Sequence, residues 1–301
     1  MKLIKPSFEI LEQLPGLEGM YKQIELAGRT CYKSEDKITE DSAKEFVDRM
    51  IKSGHGAMLE HGTVYLLIHD DDCTEQHVKE YMENSFTKVN DGNNGWWYIT
   101  TNLRVLVEND WLEDLQYICE PTEHHEKRHT VKFTCDRGVS HEFVRHRVFS
   151  FAQESTRYCN YSKDKFGNEI TCILPPWLSE NDLPKGFGYT SDDWGSLICE
   201  FYYEATEKGK SEGFIIEPVR NFVFALQTSE QLYFSLLKEG WKAQEARSVL
   251  PNALKTELVM TGFESDWKHF FELRCPGSAH PQARELAIPL QEKFKELKWV
   301  D

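Results

Sequence analysis

Apolar runs suited to strands and apolar residues at helical spacing follow one another in this chain without a regular rotation. That irregularity is the strongest constraint on its fold. Thr63–Ile68 (TVYLLI), Ile99–Val107, His129–Cys135 and Lys255–Thr261 are β-favouring runs. Leu17, Met20, Tyr21, Ile24 and Ala27 recur at helical spacing, as do Phe46, Val47, Met50 and Ile51. Further helices are predicted over 74–84, 110–119, 194–205, a run capped by Ser229 and ending at Gly240, 242–250 stopped by Pro251, 266–274, and a long segment from Pro281. A doubly wound fold would rotate strand and helix in turn. The pattern instead predicts an α+β fold, a mixed or antiparallel sheet core flanked by helices.

Charge is distributed as unevenly as the apolar pattern. The 301 residues carry 35 Lys+Arg against 50 Asp+Glu, a net charge of −15. Such a balance argues against a duplex nucleic-acid groove, which needs cations to neutralise phosphates. Yet 70–126 holds 14 acidic residues and only Lys79, Lys88 and Arg104, whereas 127–165 holds nine basic residues and four acidic ones. Neither a signal peptide nor a membrane-length apolar stretch is visible. The eight cysteines form no C-x-x-C pair and no zinc-spaced set. The expectation is a cytoplasmic protein with reduced thiols and no metal.

The basic island centres on VSHEFVRHRVFSFAQESTRYCNYSK, residues 139–163. Ser140 is placed to cap a short helix bearing Phe143 and Val144 and ending near Arg145-His146-Arg147. A polar run then follows, interrupted by Phe149 and Phe151. Guanidinium forks and hydroxyls between aromatics suit an oxyanion held against a flat ligand. The residues alone leave open a small-molecule phosphate or nucleotide site, a single-strand nucleic-acid site and a structural salt-bridge network.

Arg145-His146-Arg147, seven residues, Ser155 and then Arg157-Tyr158 resemble the R-H-R-x7-S signature of the flavin-dependent thymidylate synthases. Other blocks resemble that family in the same order. They are Ala27–Tyr32, Gly54–His61, Ala246–Pro251 (ARSVLP) and Trp267–Arg274, followed by His280 and Gln282. The family methylates dUMP to dTMP, with methylenetetrahydrofolate as carbon donor and NADPH as reductant through FAD. The resemblance implies one domain over 1–301, a homotetramer with shared sites, and dUMP and folate as partners, with no nucleic acid and no membrane. The runner-up readings are hydroxymethylation of a pyrimidine deoxynucleotide at the same flavin–folate site and a non-catalytic nucleotide- or RNA-binding protein.

The resemblance also implies roles. Arg274 would be the catalytic group, activating the uracil edge. Glu142, Arg145, Gln153, Glu154, Ser155, Thr156, Arg157 and Arg247 would bind dUMP with it. His55, Ala57, Glu60, Arg145, His146, Arg147, Gln153, Phe263, Glu264, Ser265 and His269 would hold FAD. Ala152-Gln153 departs from the family's Asn-Glu, and a neutral amide donates as well as accepts, where a carboxylate only accepts. Two enlargements are expected, an acidic insertion at about 69–128 and a second at about 162–226. Trp96 and Trp97, after Asn93-Asn94-Gly95, are read as hairpin packing.

Overall fold

The computed structural model describes residues 1–93, 95–163, 166–179 and 218–300, without the Arg220 side chain. The predicted helix at 194–205 lies outside them. In chain order the elements are β1 (Lys2–Ile4), β2 (Ser7–Leu11), α1 (Gly16–Tyr32), α2 (Ser42–Lys52), α3 (Gly56–Leu59), β3 (Thr63–His69), α4 (Glu75–Glu83), β4 (Lys88–Asp91), β5 (Trp96–Asn102), α5 (Leu103–Glu108), β6 (Arg128–Asp136), α6 (Arg137–Phe143), β7 (Ser150–Gln153), β8 (Thr171–Ile173), α7 (Pro218–Lys238), α8 (Ala243–Ala246), β9 (Lys255–Phe263), α9 (Glu264–Arg274) and α10 (Pro281–Glu296). The architecture is α+β, as the irregular patterning predicts.

The chain divides into two compact units. The larger comprises Ser7–Cys135, Val139–Ser155 and Thr256–Asp301. Its four-stranded sheet has the order β2-β6-β9-β7, with β2–β6 and β7–β9 antiparallel. Strand side chains alternate between faces, and β9 shows why the sheet tolerates so few polar positions. Leu258 and Met260 pack with Phe133, Trp267, Phe270 and Phe294 on one face, while Val259 joins Leu11, Ala27 and Ala152 on the other. A second sheet, β3-β5-β4, is antiparallel and sends Val64, Leu66 and Ile68 into a core with Met20, Ile24, Phe46 and Tyr81. Trp97 packs on that core from the β4–β5 hairpin, and the Trp96 ring meets His69 with centroids 4.7 Å apart.

The smaller unit comprises Met1–Pro6, Asp136–Gly138 and Thr156–Lys255. It pairs β1 with β8 in parallel around Tyr161, Ile170, Cys172, Leu226, Tyr233 and Leu254. Among the described residues seven cysteines are free thiols, no group of three or more His, Cys, Asp or Glu is arranged for a metal, and no helix is long and apolar enough to cross a membrane.

Four local expectations are corrected. The Ile99–Val107 run is strand only to Asn102, whose Oδ1 accepts from Val105 N–H at 3.2 Å and starts α5. The predicted 110–119 helix is a short 3-10 turn, Leu112–Tyr117. Ser140 lies inside α6, not at its cap. Ser229 likewise sits within α7, where its hydroxyl donates to Ala225 O at 2.9 Å.

Candidate active site

The R-H-R tripeptide occupies a tight connection between α6 and β7. Phe143 and Phe149 are buried on either side of it, and Phe149 sits so close to Gly262 of β9 that a Cβ there would lie 2.6 Å from its ring. Anchoring both flanks sorts the three residues between them: His146 turns inward, while Arg145 and Arg147 stay exposed. Neither guanidinium makes a hydrogen bond or ion pair among the described residues. Two uncompensated guanidiniums in a protein of net −15 do not fit the salt-bridge reading, and they are suited to an anionic ligand.

Arg274, the last residue of α9, reaches the end of α6. Its Nη1 donates to Glu142 Oε2 at 2.8 Å, Nη2 donates to Glu142 O at 2.8 Å, and Nε donates to His146 Nε2 at 3.0 Å. The buried faces of Phe270 and Phe271 fix the helix, so Arg274 falls over Glu142 by the ordinary three-to-four-residue spacing. Accepting from a guanidinium requires a lone pair on His146 Nε2, so the ring is neutral with its proton on Nδ1. Burial enforces this, pushing the His146 pKa down to about 4, with the positive charge of Arg274 and then His269 adding to it. Exposed His269 completes the group, its ring centroid 6.3 Å from that of His146.

Gln153, the last residue of β7, donates through Nε2 to Ser140 Oγ at 2.8 Å and Thr256 Oγ1 at 3.3 Å. The segment after it is pinned by its backbone. Glu154 N–H donates to Glu257 O at 2.8 Å and Ser155 N–H to Cys31 O at 3.0 Å. Glu154 is buried and Ser155 half-buried. In the smaller unit, Arg247 Nη1 donates to Thr156 Oγ1 at 3.3 Å, and exposed Arg157 lies 5.5 Å from the Tyr158 ring centroid.

The remaining flavin candidates form a second group. His55 and Ala57, at the start of α3, are exposed. Glu60 pairs with Arg104, and its carbonyl accepts from Arg128 Nη1 at 3.1 Å. Phe263 is buried with the Arg128 guanidinium 5.5 Å from its ring centroid. Glu264 bonds His129 at 2.8 Å and Ser265 bonds Glu126 at 2.6 Å. No side-chain hydrogen bond, ion pair or ring contact joins this group to Glu142, His146, His269 and Arg274 among the described residues, although Ser265 and His269 share α9. Ser140, Thr256, Arg104 and Arg128 escaped the sequence reading as site-supporting residues. Only Arg104, one of three cations in an acidic stretch, and Arg128, second in the basic island, carried any signal.

These features belong to a known class. The family profile described as thymidylate synthase complementing protein matches residues 14–90 and 119–298, and the chain belongs to that enzyme family. Among its relatives, the flavin-dependent thymidylate synthase of Corynebacterium aurimucosum is 24% identical over 91% of this chain and 75% of its own length. Those of Corynebacterium diphtheriae and Geobacter sulfurreducens are 31% and 30% identical, each over 53% of this chain and, respectively, 54% and 52% of their own length. The chain thus spans about half the length of these last two relatives. A solved structure, the UMP/dUMP methylase PolB of Streptomyces cacaoi bound with 5-Br dUMP, covers 99% of this chain and 93% of its own at 16% identity and TM-score 0.42, too loose a likeness to bear on the site.

Proposed function

We propose that this chain reductively methylates dUMP to dTMP, with methylenetetrahydrofolate supplying the carbon and NADPH the reducing equivalents through FAD. The observation that carries the reading is the anchoring of Arg274. Three contacts fix the guanidinium plane while further N–H groups stay unused. A cation held this way costs little reorganisation when negative charge develops at a uracil carbonyl oxygen and N3. Neutral His146 adds no competing positive charge beside it.

The donor set fits a flavin diphosphate: Arg145 and Arg147 are exposed cations without carboxylate partners among the described residues. His55, Ala57, Glu60, His146, Gln153, Phe263, Glu264, Ser265 and His269 are proposed to hold the same group. Bound flavin would supply the hydride that replaces a thiolate nucleophile in this chemistry. Arg247 and Thr156, with Ser155 and Arg157, are assigned to the nucleotide phosphate, and Glu142, Gln153 and Glu154 to its surroundings. Gln153 accepts and donates but takes no proton at neutral pH, so no general-base role falls to it. The proposal extends to one catalytic domain, a homotetramer and a cytoplasmic location.

The test is release of the C5 hydrogen of dUMP by purified protein. Release that requires both methylenetetrahydrofolate and NADPH supports the reading. Protein that never binds flavin would sink it, and hydroxymethyl-dUMP as product would replace it with the hydroxymethylation reading.

A further inference from the structure

A cavity of about 270 Å3 in the larger unit is lined by none of the residues assigned above to nucleotide or flavin. Ile10, Leu11, Tyr65 and Trp299 give it an apolar and aromatic wall. Trp299 is fixed there, stacked on His129 with centroids 3.6 Å apart and planes 12° apart. The volume is near the lower end for small-molecule sites.

The polar groups of the wall are unequal. Gln13 is spent on the edge of β3, its Nε2 donating to Thr63 O and its Oε1 accepting from Thr63 N–H, both at 2.8 Å. Thr130 Oγ1 is bonded to Thr261 Oγ1 at 2.8 Å, and His129 is paired with Glu264. Three donors remain. Half-buried Lys127 has no ion-pair partner among the described residues. Tyr65 Oη accepts from Arg128 N–H at 3.3 Å, which leaves its own proton to give.

Among the described residues the Arg128 guanidinium hydrogen-bonds only to neutral oxygens, Glu60 O at 3.1 Å, Ser150 Oγ at 3.2 Å and Thr63 Oγ1 at 3.4 Å, and its enclosed Nε has no acceptor. A largely enclosed guanidinium without a carboxylate is costly unless an anion joins it. Exposed Glu12 and Glu120 also line the cavity. Being exposed, they offset half-buried Lys127 and Arg128 only in part, so one carboxylate suits the cavity better than a phosphate dianion.

We propose that this cavity binds a flat aromatic ring carrying a carboxylate, received by Lys127, Arg128 and Tyr65 against Trp299. Arg128 also touches Glu60 and Phe263, so the cavity adjoins residues proposed for flavin. In the proposed reaction, the benzoyl-glutamate portion of the folate offers this chemistry, an aromatic ring whose amide-linked glutamate would bring one of its two carboxylates to the cavity. That source rests on the proposed function, whereas the chemistry of the cavity does not.

The experiment titrates FAD-supplemented protein with 4-aminobenzoyl-glutamate by calorimetry, with benzamide as the uncharged control. Saturable binding that Lys127→Ala and Arg128→Lys each weaken by about tenfold or more, with benzamide silent, is expected. Lys127→Ala keeps the test decisive should Arg128→Lys fail to fold. No saturable binding at millimolar probe, or unchanged affinity in folded Lys127→Ala, overturns the proposal. Displacement of the probe by methylenetetrahydrofolate assigns the cavity to folate, and its absence overturns that source. Retained, Lys127-dependent binding in a protein that makes no dTMP would overturn the enzymatic reading and leave the cavity's.

Discussion

Arg274 is tethered to both ends of Glu142, through the carboxylate and through the main-chain carbonyl, at 2.8 Å each. The two bonds differ in what mutation removes. Substituting Glu142 deletes the first and leaves the second, because the second belongs to the α6 backbone. A charge-assisted bond of this kind contributes about 1.5–3 kcal/mol, so Glu142→Ala is expected to slow turnover by about tenfold to a hundredfold. Glu142→Gln still accepts from Nη1 and should lose only a few-fold. Flavin content of both variants, read from absorbance, should match the parent. Full turnover in Glu142→Ala would show that the tether does not position Arg274.

Arg274→Ala should abolish dTMP formation while FAD is retained, because, of the residues proposed for FAD, Arg274 bonds only His146 and none of the group around Glu60 and Phe263 among the described residues. Turnover measured at saturating dUMP decides it. A normal rate in a folded variant would reject Arg274 as the group that activates uracil.

Acid should destabilise the protein through its buried histidines. Burial pushes His146 down to about 4, and burial with the nearby Arg128 charge pushes His61 down to about 3, both from an ordinary 6.5. Between those values the unfolded chain binds protons that the folded chain refuses. Stability is therefore full above pH 6.5 and falls as the pH drops toward 4. At pH 5 each histidine costs about 2 kcal/mol relative to pH 7. His146→Asn keeps an acceptor for Arg274 Nε but cannot titrate. Its urea midpoint should fall less between pH 7 and pH 5 than the parent's, and parallel curves would rule His146 out as a source of the acid loss.

Motif order and helical periodicity were legible because both are local. Phe270, Phe271 and Arg274 lie on one short helix, and their spacing alone implies that the arginine leaves a buried face. Leu103–Val107 was misread because a short apolar run suits either a strand or a helix turn. What decided it was Asn102 bonding three residues ahead. The partners of the site were less accessible still. Gln153 meets Thr256, and Arg128 meets Glu60, across 103 and 68 residues of chain. Such contacts follow from strand order, and no local pattern encodes that order.

Gln153 is expected to tolerate a carboxylate better than a hydrocarbon. Its amide nitrogen donates to two hydroxyls, Ser140 Oγ and Thr256 Oγ1. Hydroxyls rotate, so in Gln153→Glu both are able to donate to the new carboxylate, and the change should cost about 1 kcal/mol or less. Gln153→Leu strips both hydroxyls of a partner and should cost about 1–3 kcal/mol. Chemical denaturation of the two variants gives the ranking, and a leucine variant as stable as the parent would show that the network contributes nothing.

Gly28 tests whether packing or helix propensity dominates in α1. Alanine favours a helix interior by about 1 kcal/mol over glycine, which alone predicts that Gly28→Ala stabilises. The new methyl, however, would stand 2.5 and 2.7 Å from two ring carbons of Phe46 on α2, and that ring is only 3% exposed. Phe46 also carries the Arg29 and Arg49 guanidiniums over its ring, at 4.9 and 5.5 Å from the centroid, so it has little room to yield. Overpacking of this severity costs about 1–3 kcal/mol, more than the propensity gain. A lower Tm is therefore expected for Gly28→Ala. Adding Phe46→Leu should recover part of the loss, since the smaller side chain makes space for the methyl. A raised Tm in the single variant would mean that α1 and α2 move apart more readily than their packing implies.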